Sequence, residues 1–209
     1  MANFKTMIRT LMFVFVVLFC ATTFYYYTEQ GNARAEANIP KLPDFEHTNN
    51  QQFIDNVVQC VNYIEHNTTD VYPVNLELLL AQAALESGWG NSRFARVGKN
   101  LFGIRTYDLK EPHMLPSNNP KKWGVKVYSH ECDSVLNYMQ VLNNGGAYEK
   151  YRELMNNGEN DPYILVETLD AYASDKYYFS KVKSILTKIR SEYAIKWYKK
   201  EVQENRQPC

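Results

Sequence analysis

The sequence predicts an α+β fold, mainly helical, with a small β-hairpin lobe and a separate apolar helix at the N-terminus. Three observations predict it. Apolar residues recur at helical spacing up to Ile104 and again after Glu131. Between Arg105 and Tyr128 that period disappears, and Pro112, Pro116, Ser117, Asn118, Asn119 and Pro120 mark turns. An uncharged, mostly apolar run from Thr10 to Tyr27 stands apart from both.

A chain of 209 residues is long enough for one domain with a sizeable core. Lys plus Arg total 23 and Asp plus Glu total 23, a balance that argues against a nucleic-acid partner. Aromatic content is high, with sixteen Tyr, ten Phe and three Trp; core packing explains most of them and leaves some for exposed, ligand-stacking positions.

Residues 1–28 read as a transmembrane anchor or a signal peptide. Lys5 and Arg9 precede the apolar run, which places the N-terminus in the cytoplasm. Phe24, Tyr25, Tyr26 and Tyr27 suit the far interface as an aromatic belt. A cleaved signal fits as well, with Leu11 to Phe19 as its apolar centre and small-residue patterns at Ala33 to Ala37. Both readings export the rest of the chain to the periplasm or cell envelope, and the anchor reading makes the cytoplasmic membrane a partner. Residues 29–50, polar and carrying Pro40 and Pro43, read as a linker.

The globular domain is expected over residues 51–198, with a polar tail at 199–209. Thr48 is the expected N-cap of a first helix with Phe53, Val57, Val58, Val61 and Ile64 on one stripe. Pro73 is the expected start of a second helix, whose stripe is Leu76, Leu79, Leu80, Ala83 and Ala84. A short helix over Asn91–Val97 follows, then the hairpin lobe, with Val125 and Val127 on a strand. The remaining helices are expected at Glu131–Asn143, Ala147–Asn156, Pro162–Ala173 and Tyr177–Tyr198.

Glu86 closes the apolar run of the second helix, at the edge of its buried stripe, and Gly88 and Gly90 stop the helix behind it. Desolvation and the negative end of the helix dipole both favour its neutral form, so a raised pKa is expected. A protonated carboxylic acid at neutral pH is what a glycosidase uses on a leaving oxygen.

The stretch ALESGWGNSRFA, followed by KNLFGI, resembles the signature of the bacterial β-N-acetylglucosaminidase family, in particular its Bax-like subgroup of cell-wall hydrolases. AYASDKYYFSKVKSIL, from Ala171 to Leu186, is similar to the family's Tyr-Ala-Thr-Asp-x-x-Tyr stretch, and SVLNYMQVLNNGGAYEKYRELM to its linking helices. The resemblance covers roughly Phe53 to Arg190 and implies a lysozyme-like fold. It also implies peptidoglycan glycan strands as substrate, cleavage at N-acetylglucosamine β-1,4 linkages, and Glu86 as general acid.

The second catalytic group is less plain. Asp108 and Glu111 lie in the hairpin opposite Glu86. Bax-like relatives carry a Glu just before the strand leading to the next helix, where this chain reads Lys122-Trp123-Gly124-Val125. A substrate-assisted route, in which the sugar's N-acetyl group attacks the anomeric carbon, is the alternative. Tyr172 matches the family's tyrosine and would support it. Substrate-binding candidates are Trp89, Asn100, Phe102, Tyr107 and Trp123. Trp89 and Phe102 suit packing beneath the site, Asn100 suits a turn, and Trp123 suits sugar stacking. Two rivals stay open: a lytic transglycosylase, although Asn-Leu-Phe-Gly-Ile replaces its usual Gly-Leu-Met-Gln, and an inactive wall-binding module.

No cofactor is expected, and no metal, since His47, His66, His113 and His130 show no ligand spacing. No phosphate loop or serine-nucleophile elbow surrounds Ser87. Export permits a Cys60–Cys132 disulfide, but two buried thiols are the expectation.

Overall fold

The computed structural model describes residues 4–37, 39–117, 122–172, 175–193 and 195. The expected turn at Asn118, Asn119 and Pro120, the end of the last helix at Tyr198 and the tail with Cys209 lie outside them. The chain forms two compact units, residues 1–40 and 41–209.

The first unit is one helix, α1 (Phe4–Ala37). Its segment Met7–Gln30 is 24 residues long with a mean hydropathy of 2.1, enough to cross a bilayer. Helix α1 continues through Ala37, beyond Glu29 where the linker was expected to begin.

The second unit starts within that linker. Residues 41–47 carry no regular secondary structure but are tied to the domain. Phe45 is buried, the Pro43 carbonyl accepts from His130 Nε2, and the Glu46 carbonyl accepts from Asn56. Helix α2 (Asn50–Asn67) is capped by Asn49, whose side chain accepts from the Gln52 amide. The cap expected at Thr48 therefore falls one residue later, and Thr48 instead bonds the Gln52 side chain.

Helix α3 (Leu76–Ser87) begins three residues after the expected Pro73, because Asn75 supplies the cap to Leu78. Nor does it show one stripe to the core. Leu76, Leu78, Leu79, Leu80, Ala81, Gln82, Ala83 and Ala84 are all buried. Such a helix is enclosed by its neighbours on most sides, here by α2, by the short helix Pro162–Leu165 and by the last helix.

Helix α4 (Arg93–Gly98) follows, capped by Ser92. The β lobe holds three short strands, β1 (Arg105–Thr106), β2 (His113–Met114) and β3 (Gly124–Lys126), in antiparallel order β1-β3-β2. Of the expected strand residues, Val125 pairs with Arg105 and Met114, while Val127 lies just beyond β3.

Helix α5 (Glu131–Asn144) packs on α2. A 3-10 turn at Gly146–Tyr148 leads into α6 (Glu149–Asn156), so the helix expected from Ala147 starts as a tighter turn. The helix expected over Pro162–Ala173 is broken. Helix α7 (Pro162–Leu165) passes into a 3-10 turn at Val166–Thr168 and then turns through Tyr172. Helix α8 (Tyr178–Glu192) closes the domain against α3, and Arg190 bonds Glu77 across that contact at 2.5 Å.

Cys60 and Cys132 form a disulfide, not the two free thiols expected. The pairing of α2 with the first turn of α5 brings the two sulfurs together, which spacing alone does not reveal. With a sequence separation of 72 between the cysteines, the bond removes much freedom from the unfolded chain. The double variant Cys60→Ala/Cys132→Ala is expected to lose about 2–5 kcal/mol of stability, read from denaturant melts beside the oxidised protein.

Candidate active site

Gly88 adopts left-handed geometry (φ 59°) and its amide bonds back to the last turn of α3. Trp89 is also left-handed (φ 58°), a strained conformation for a bulky residue. It is held there by its amide on the Ala84 carbonyl and by His47 Nε2 donating to its own carbonyl at 3.0 Å. The buried Ser87 hydroxyl donates to the Ala83 carbonyl and accepts from the Gly90 amide at 2.7 Å. These bonds fix the end of α3, and so fix where Glu86 points.

Glu86 lies partly buried on the wall of a cleft of about 560 Å³. Burial raises its pKa from the ordinary glutamate value, while a hydrogen bond from Tyr178 and the charge of Lys181 partly oppose the rise. The Tyr178 hydroxyl also accepts from Gln82 Nε2 at 2.7 Å, and the Gln82 carbonyl oxygen accepts from Tyr138. Tyr138, Gln82, Tyr178 and Glu86 thus form one chain of hydrogen bonds leading from the core to the cleft. Gln82 and Tyr178 escaped sequence analysis. Gln82 stands four residues before Glu86, on the same helical face, and that spacing was the available signal.

The opposite wall of the cleft is the turn Phe102, Gly103, Ile104 and Arg105, and its remaining rim includes Tyr148, Ala171, Tyr172 and Asp175. Asn100 builds that turn. Buried to 1% exposure, its amide donates to the Ile104 and Lys126 carbonyls and its oxygen accepts from the Phe102 and Ile104 amides. Phe102 stacks on Tyr138 with ring centres 4.1 Å apart, so its ring is core and its backbone is cleft. The Tyr172 hydroxyl donates to the Phe102 carbonyl at 3.1 Å, and its ring stacks on Tyr178.

The structure therefore brings Glu86, Tyr172 and Phe102 to one cleft and leaves the other expected residues off its lining. Glu111 is engaged within the β lobe by the Thr106 hydroxyl at 3.0 Å and by Lys126 at 3.4 Å. Exposed Asp108 accepts from the Lys110 amide. Trp89 packs on Phe53 and Tyr193. Tyr107 is exposed, and Trp123 has one face covered by the Arg105 guanidinium.

Asp175 is the carboxylate of the cleft that sequence analysis passed over. It stands three residues after Tyr172 inside the matched motif, which was the signal. Lys181 pairs with it at 2.5 Å and holds its pKa below the usual aspartate range, with help from the Tyr177 amide.

Cys60, Cys132 and His130 also gather their ligand atoms within 4.8 Å. Both sulfurs are in the disulfide, and the two His130 nitrogens are engaged by the Cys132 amide and the Pro43 carbonyl. The group is a structural tie.

With this geometry in view, comparison with known proteins is decisive. Residues 65–191 match the glucosaminidase family, described as mannosyl-glycoprotein endo-β-N-acetylglucosaminidase. The chain belongs to the glucosaminidase family. It is 34% identical over 135 residues to the peptidoglycan hydrolase FlgJ of Vibrio parahaemolyticus, covering 56% of this chain and 42% of that protein. It is 28% identical over 127 residues to the exo-glucosaminidase LytG of Bacillus subtilis, covering 56% of this chain and 45% of LytG. The matched stretch thus spans less than half of either relative. The catalytic domain of the autolysin Auto from Listeria monocytogenes superposes with a TM-score of 0.51 at 25% identity, covering 78% of this chain and 94% of that one.

The hydrogen bond from Tyr178 favours the charged form of Glu86. Tyr178→Phe removes it, so the pKa of Glu86 rises further. The expected result is that the alkaline limb of the pH–rate profile moves to higher pH, because the acid keeps its proton longer. An unmoved limb in the folded variant would show that Glu86 is not the titrating acid.

Proposed function

We propose that this glucosaminidase-family chain is a peptidoglycan hydrolase that cuts the glycan strand at N-acetylglucosamine β-1,4 linkages, with Glu86 as general acid. The observation that carries the reading is a carboxyl group on the wall of an open cleft whose proton is held more tightly by burial. In its protonated state it donates that proton to the glycosidic oxygen as the bond to the anomeric carbon breaks.

Asp175 is tuned in the opposite sense, and two carboxyl groups driven apart in this way divide into an acid and an anion. A substrate-assisted route uses both. The acetamido oxygen attacks the anomeric carbon, the leaving oxygen takes the Glu86 proton, and the Asp175 carboxylate receives the acetamido N–H as positive charge builds on it. Water then opens the cyclic intermediate and returns a proton to Glu86. Tyr172 holds the Phe102 turn and lines the same cleft as Glu86 and Asp175. The names of FlgJ and LytG support the wall as substrate, and α1 supports delivery to the cell envelope, as anchor or signal.

Glu86→Gln is expected to abolish wall digestion in a zymogram while circular dichroism stays native. Mass spectrometry of the wild-type products is expected to give reducing-end N-acetylglucosamine. Anhydro-muramyl ends would instead make the chain a lytic transglycosylase, and no product would make it a wall-binding module.

A second set of variants separates the mechanisms. Asp108→Asn and Glu111→Gln are expected to retain most activity on the same walls. Asp175→Asn and Tyr172→Phe are each expected to lose about tenfold or more, at about 1.4 kcal/mol per tenfold. Loss confined to the Asp108 or Glu111 variant, at matched melting temperatures, would return the second carboxylate to the β lobe.

A further inference from the structure

The cleft carries a cation that bond cleavage does not use. Arg105 on β1 is exposed and lines the same cleft as Glu86. Its guanidinium carbon lies 4.0 Å from the centre of the Trp123 ring. Among the described residues no carboxylate lies within ion-pair distance of it, whereas Lys181, Lys126 and Arg190 are each paired. Stacking on an indole fixes the plane of a guanidinium and leaves its N–H edges free. Those edges match a carboxylate in bidentate fashion.

A polymer of N-acetylglucosamine alone is neutral and offers such a group nothing. A wall strand offers carboxylates from two sources, the peptide stem and the lactyl group of an unsubstituted muramic acid. We propose that Arg105, seated on Trp123, is a carboxylate-recognition residue that makes the cleft prefer carboxylate-bearing glycan strands over neutral strands of the same linkage. The inference rests on the glycan-hydrolase reading above.

Binding separates the two. The full chain in detergent micelles, carrying Glu86→Gln so that ligands are not consumed, is titrated with three soluble fragments of equal sugar length. These are a peptide-bearing wall fragment, the same fragment stripped by an amidase, and a neutral chito-oligosaccharide. At low salt a carboxylate-bearing fragment is expected to bind about fivefold more tightly than the neutral one, an advantage that shrinks as salt screens the pair. Adding Arg105→Gln is expected to erase the difference, and Arg105→Lys, which keeps the charge without the fork, to retain part of it.

Preference for the peptide-bearing fragment alone assigns the carboxylate to the stem, preference for the stripped fragment alone assigns it to the lactyl group, and equal preference for both over the neutral strand shows that either carboxylate serves. Equal affinity for all three fragments with Arg105 in place overturns the inference and leaves the glycan reading standing. So does an Arg105→Gln loss that is the same for all three, which marks a merely structural residue. No binding of any fragment overturns the glycan reading itself.

Discussion

The bond between Gln82 and the Tyr178 hydroxyl is the constraint on which the site depends. Gln82 is fully buried in α3, and an amide buried without partners costs about 1–3 kcal/mol per unsatisfied group. Tyr138 satisfies its oxygen and Tyr178 its nitrogen, so α5, α3 and α8 are locked to a single register. With its oxygen accepting from Gln82, the Tyr178 hydroxyl has its own hydrogen left for Glu86. The packing of the core and the protonation of the cleft are therefore one arrangement.

The second wall obeys a similar economy. Asn100 gathers the Phe102–Ile104 turn with four hydrogen-bonded partners, and Tyr172 anchors the same turn from the other side of the cleft. Phe102 has its ring in the core and its carbonyl under Tyr172. Loop backbone is thereby tied into the core where it lines the cleft.

Much of this was legible in the sequence, and what was legible was local. The apolar run into Glu86, the glycine stop behind it and the loss of helical period after Arg105 are each contained in a short window. They gave the fold class and the position of Glu86 at the end of its helix. Partners were not legible. Gln82 and Tyr178 are 96 residues apart, and nothing in either segment alone names the other. Asp108 and Glu111 were chosen for lying in the lobe opposite Glu86, yet Thr106 and Lys126 occupy Glu111 within that lobe. Caps misled by one to three residues because Thr48 and Pro73 are good local choices that lie just outside the turns fixed by Asn49 and Asn75. The break after Leu165 was missed because its apolar pattern runs on while the backbone tightens to a 3-10 turn.

The Cys60–Cys132 bond carries a consequence for timing. It joins the middle of α2 to the first turn of α5, the two helices that frame the core on one side. In a reducing compartment both sulfurs are thiols, and the domain does without that covalent brace. An oxidising compartment supplies it. The brace is therefore set by the redox state of the compartment the domain reaches, and it closes only where the surroundings are oxidising.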